Sequence, residues 1–188
     1  EALLHLSSRG TGGWSSERNR HAEAWALSTL ALADRRGMLD GLPVSTVIDA
    51  TLTRWQNSVP LESLAGLSES DLIGLASRAA AGVLGDPELD RPGHADHLKL
   101  LMPALTKVTP ALDTTAGLED LYWISGALYL WGGNDFKTWE QRIQSEFLPA
   151  LAEIGDDRGD HAEGALDRVA LTALTLEVYY RYDHVPLW

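Results

Sequence analysis

Residues 118–154 read LEDLYWISGALYLW, then GGND, then FKTWEQRIQSEFLPALAEI, and these three pieces decide the fold class. The first piece is apolar or small almost all the way round a helical wheel, which predicts a helix covered on most sides. The last carries one stripe, Phe136, Trp139, Ile143, Phe147, Leu151 and Ile154, at three- and four-residue spacing. Such a helix covers a core from one side only. Gly132, Gly133 and Asn134 between them make a tight turn, so the segment reads as a helical hairpin with one inner and one outer arm.

The same alternation extends outward in both directions. Single stripes recur in Val44, Val47, Ile48, Thr51, Leu52 and Trp55, and in Leu98, Leu101, Met102, Leu105 and Val108. Segments apolar or small nearly all round recur in Ala24 to Ala33 and Leu166 to Tyr180, and the pattern predicts inner helices there. The predicted helices are Ser16 to Arg36, Val44 to Ser58, Glu69 to Leu84, Ala95 to Val108, Leu118 to Trp131, Phe136 to Ile154 and His161 to Tyr182, with a short piece at Ala2 to Ser7. Gly37, Gly41 and Pro43 separate the first two, Ser68 leads an acidic first turn, and Gly85, Pro87, Pro92 and Gly93 break the chain again. No stretch alternates with period two for long, so the expectation is an all-α chain of helical hairpins, a repeat of character without residue-level identity.

Composition narrows the function classes. With 27 acidic against 15 basic side chains in 188 residues, the net charge is −12 and the pI near 4.8. Nucleic-acid binding draws its affinity from Lys and Arg neutralising phosphates, so no nucleic-acid partner is expected. Direct contact with an anionic membrane is disfavoured on the same ground. The chain has no cysteine, which removes disulfides, thiolate zinc sites and cysteine nucleophiles together. The expected organisation is one domain over residues 1–188, excised from a larger protein because the first residue is Glu1 and not Met.

Four passages resemble the α/α-toroid superfamily of terpenoid cyclases and protein prenyltransferases, in particular bacterial proteins carrying prenyltransferase or squalene-oxidase repeats. They are Leu6 to Trp14 with its Gly12-Gly13-Trp14 ending, His21-Ala22-Glu23-Ala24-Trp25-Ala26-Leu27, Asp120-Leu121-Tyr122-Trp123 through Gly132-Gly133 to Trp139-Glu140, and Thr172 to Tyr182. The resemblance implies a partial or shortened ring with alternating inner and outer helices and a central cavity. It also implies a periplasmic or envelope-associated setting, although the residues themselves leave the compartment open.

The chemistry of that superfamily does not carry over. Squalene-type cyclases protonate an alkene through a D-x-D-D acid cluster, and none occurs here. Asp86, Asp90, Asp156 and Asp157 fall beside Gly or Pro and read as solvated turn residues. Prenyltransferase zinc needs a thiolate this chain lacks, so no cofactor and no catalytic residue is assigned.

His94 and His97 in an H-x-x-H spacing are weak metal candidates against the plainer reading of a polar helix start. Asp156, Asp157, Asp160 and Glu163 do not match a calcium loop, and Arg158-Gly159-Asp160 carries no assignment by itself. His21 and Trp25, one turn apart, and Tyr122 with Trp123 are candidates to line a ligand cavity, or simply to pack. Glu177 interrupts an apolar helix and is expected to be buried in a structural ion pair with Arg181, four residues on.

The expectation is a non-catalytic toroid-like binding or scaffold domain that meets a protein partner, a basic one by charge complementarity. The alternatives are a carrier of a hydrophobic small molecule and a cyclase-like enzyme using the central cavity.

Overall fold

The computed structural model describes residues 22–39, 44–59, 61–64, 66–86, 88, 93–156 and 165–180. Every regular element among them is helical: α1 (Ala22–Arg35), α2 (Val44–Ser58), a single turn α3 (Leu61–Leu64), α4 (Glu69–Gly85), α5 (His94–Leu105), α6 (Thr115–Trp131), α7 (Gly133–Arg142), α8 (Leu148–Asp156) and α9 (Ala165–Tyr180). The expected all-α class and the main helix positions hold. The turn α3 was not expected from periodicity, being too short to show any. The chain divides into two compact units, residues 1–101 and 102–188.

In the first unit α1 packs on α4, and α2 packs on both. The α1–α4 pairing is built from small side chains, with Ala24, Ser28 and Ala31 buried on α1 and Ala76, Ser77, Ala79, Ala80 and Ala81 buried on α4. Ser68 starts α4 with a capping box, its hydroxyl accepting from the Asp71 amide while the Asp71 carboxylate accepts from the Ser68 amide. Helix α2 buries Val44, Ile48, Thr51, Leu52 and Trp55, the stripe its sequence predicts.

In the second unit α9 packs on α6, and α6 on α7. Helix α6 is buried nearly all round, with Leu118, Leu121, Trp123, Ile124, Ser125, Ala127 and Leu128 all inside. The Gly-Gly turn behaves as predicted: Gly132 has φ 75° and Gly133 φ 66°, the left-handed region that side chains avoid. Between α7 and α8 the helix opens into one π turn, Ile143–Phe147, with the Leu148 amide donating to the Ile143 carbonyl. The stripe residues Trp139, Ile143 and Phe147 advance in steps of four, which overshoot an α-helical turn of 3.6. The wider turn brings Ile143 and Phe147 back over Trp139, and all three are buried.

Two inner-helix expectations are corrected. Helix α1 buries only Ala24, Leu27, Ser28 and Ala31, while Trp25 and Leu32 are exposed. Helix α9 exposes Val169, Ala170, Ala173 and Leu174 and buries Thr175. Both are rich in alanine, whose small apolar surface costs little in water, so an apolar wheel there does not require burial.

Candidate functional site

Helices α2, α3, α4 and α5 of the first unit surround a pocket of about 470 Å³, part of it open to solvent. Leu52 and Trp55 line it from α2, Leu64 from α3, Leu75 and Ala79 from α4, and Leu98 and Leu101 from α5. Its lining is almost wholly apolar, and the polar side chains that touch it are Gln56, Arg78, His94 and His97.

The two histidines are held by their neighbours. His94, the first residue of α5, is buried and meets Asp86, at the C-terminal end of α4, with its Nδ1 2.6 Å from the carboxylate. A neutral ring donates from Nδ1 there and leaves Nε2 as an acceptor. Nε2 lies against α4 at Gly82, where an added Cβ would come within 2.8 Å of it. Only glycine lets the ring seat so closely. His97 spans two carbonyls, with Nδ1 2.9 Å from the Gly93 oxygen and Nε2 3.0 Å from the Val59 oxygen, and so ties α5 to the end of α2.

Asp86 corrects the solvated-turn reading: its side chain is largely covered and engaged. Sequence reasoning missed this pair because the residues stand eight apart across a Pro- and Gly-containing loop. The usable signal was an acid closing one helix and a histidine opening the next. Among the described residues no three His, Cys, Asp or Glu side chains gather as metal ligands would, and His97 has a backbone carbonyl beside each ring nitrogen, of which a neutral ring donates to one.

Arg78 is different. Its guanidinium stands 5.8 Å from the centre of the Trp55 ring, near the outer limit of a cation–π contact, and it has no carboxylate or carbonyl partner among the described residues. Burial, together with the charge of Arg54, pushes its pKa below the ordinary guanidinium range. Gln56 Nε2 is also out of water with no hydrogen-bond partner.

No protein-family model, curated protein or solved structure matches this chain. The candidates taken from the toroid resemblance therefore stand on the geometry of this chain alone. His21 lies outside the described residues, and Trp25 is 36% exposed on α1. Tyr122 and Trp123, on α6 of the second unit, meet edge to face at 5.4 Å, with Trp123 buried. None of these three described aromatics lines the pocket. Glu177 is exposed on α9, which corrects its expected burial; an acid in an apolar sequence had only to stand on the helix's open side. Arg181, its expected partner, lies outside the described residues, as do Asp90, Asp157, Arg158, Gly159, Asp160 and Glu163.

A second cluster, in the second unit, is fully committed to structure. The Trp139 indole donates to Ser125 Oγ at 2.9 Å, both residues being completely buried. Arg142 donates to the carbonyls of Thr106 and Val108 at 2.8 Å each and to Glu146 at 2.8 and 3.0 Å, and it lies over the Trp139 and Phe147 rings. That bond to Arg142 holds the Glu146 carboxyl below its ordinary 4.5.

Proposed function

We propose that this chain is a non-catalytic helical binding domain, of the toroid-like kind its sequence resembles, and that it holds a hydrophobic small molecule in the pocket of its first unit. The observation that carries the reading is a concave, almost wholly apolar lining drawn from four helices, the usual character of small-molecule sites. The enclosed space is about 60 Å³, room for a short apolar group, with the remainder of a ligand in the open mouth. The reading assigns no chemical step. Asp86 and His94 have the relation of a base and its orienting acid, but the lining holds no Ser, Thr, Tyr or Cys for the imidazole to activate.

Binding of a neutral naphthylamine dye, displaced by octanol, tests this. One saturable site per chain is expected, abolished in a Leu75→Trp variant whose unchanged melting temperature shows that it still folds. Unsaturable dye uptake, or full binding in Leu75→Trp, would count against the pocket.

A scaffold role for the second unit is the other reading. The exposed Val169, Ala170, Ala173 and Leu174 form one apolar face of α9 in a chain of net charge −12. That combination suits a basic amphipathic protein segment, drawn in by charge and seated by apolar contact.

A further inference from the structure

The polar features at the pocket identify the class of molecule it takes. We infer that the occupant is an amphipathic anion, a small apolar monocarboxylate whose carboxylate meets the Arg78 guanidinium and Gln56 Nε2 while its apolar body fills the space among Leu52, Leu75 and Leu98. This rests on the pocket being a ligand site, and it adds the sign of the ligand's charge.

Three observations converge. The first is that Arg78 has no carboxylate partner among the described residues, in a chain that carries 27 acids. Structural arginines in such a chain readily find a carboxylate, as Arg142 finds Glu146 at 2.8 Å. The Arg78 guanidinium is half-buried, and an incoming carboxylate accepts a two-pronged hydrogen bond from it. The aromatic face of Trp55 gives it only a distant partner.

The second is Gln56, whose amide nitrogen lies out of water with both hydrogens unused. It stands next to Trp55 on α2 and lines the same space as Arg78. A buried donor without an acceptor is uncommon in a folded chain, and a ligand oxygen is one of the few things that satisfies it. Gln56 Nε2 and the Arg78 guanidinium are both donors. The third is the rest of the lining, which is apolar apart from His94 and His97, and those are held by Asp86 and by the Gly93 and Val59 carbonyls. A dicarboxylate or a sugar phosphate would bury polar atoms against Leu52, Leu98 and Leu101, whereas a single charged end on an apolar body matches the lining.

Arg54 adds to the same field. Its charge adds to burial in lowering the Arg78 pKa. The net charge of −12 repels anions at long range. Selection by charge then requires the ligand's apolar part to bring it within reach.

The test compares octanoate, octanol and octylamine by calorimetry on the full chain, with Arg78→Met and Gln56→Leu variants. Octanoate is expected to bind about tenfold or more tighter than octanol, in keeping with a charged hydrogen bond. Octylamine is expected not to bind. In Arg78→Met the acid should fall to the level of the alcohol while octanol binding persists, which separates loss of the charge from loss of the fold. Gln56→Leu should narrow the preference without abolishing it.

Equal binding of octanoate and octanol by the parent chain, or an undiminished preference in Arg78→Met, overturns the anion inference and leaves the pocket standing. Failure of all three to bind overturns the pocket itself, and the inference with it.

Discussion

Arg78 in the first unit and Arg142 in the second are the same residue in opposite situations. Arg142 spends its donors on two carbonyls and a carboxylate and lies over two aromatic rings, so it is wholly engaged in holding its unit together. Arg78 faces one ring at distance and, among the described residues, no carboxylate or carbonyl. The surroundings differ in the same way. Around Arg142 the core is made of large buried side chains, Trp139, Ile143 and Phe147; around Arg78 the leucines of four helices and Trp55 leave space between them. That space lies where α2, α3, α4 and α5 meet. The comparison teaches that a polar group's partners, more than its type, separate structure from function.

The sharpest way to break this comparison is to attack the packed side. Trp139→Ala removes the largest fully buried side chain and leaves Ser125 without its donor. A loss of about 3–5 kcal/mol is expected in denaturant unfolding, enough to unfold the second unit if its stability is ordinary. A loss below about 1 kcal/mol, the usual scale for an exposed site, would mean that this core is not close-packed.

Next comes the pair of arginines. Arg142→Met leaves the Thr106 and Val108 carbonyls without their donor and is expected to cost about 2–3 kcal/mol. Arg78→Met keeps the apolar stem, removes an unpartnered charge and is expected to leave the melting temperature unchanged or raised. Equal losses in the two variants would erase the distinction on which the ligand reading stands.

The smallest effect concerns acid. Glu146 has its folded pKa lowered by the hydrogen bond from Arg142, so it takes up its proton less readily folded than unfolded. The stabilisation is present above the ordinary 4.5 and is lost as the pH falls through the lower folded value. The parent should therefore melt slightly higher than Glu146→Gln at neutral pH, with the gap closing in acid. A gap that widens in acid would reverse the assignment.

How far the site could be read in advance depends on range. Leu52, Trp55, Leu98 and Leu101 were legible as core-facing residues, because each sits on a stripe that local periodicity reveals. Nothing local shows that Gln56, one residue beyond Trp55, would end with its nitrogen out of water, or that Arg78 would find no acid. His94 was read as a helix start and is one, but its burial depends on Gly82, twelve residues earlier, leaving room for the ring. Glu177 misled in the other direction. Its apolar neighbours suggested burial, and the side of α9 that packs on α6 decided otherwise.

The sequence by itself determined the all-helical class, the helix limits at Ser68, Gly132 and Gly133, and which face of α2, α5 and α7 turns inward. Those features depend on backbone conformation and on spacing within a few turns, and such information is carried locally. Only the tertiary structure decided which apolar helices are covered, that Asp86 pairs with His94 while Arg78 pairs with no acid, and that a pocket lies between α2 and α5. These depend on which elements meet, and a meeting of distant segments leaves no periodic mark on either of them.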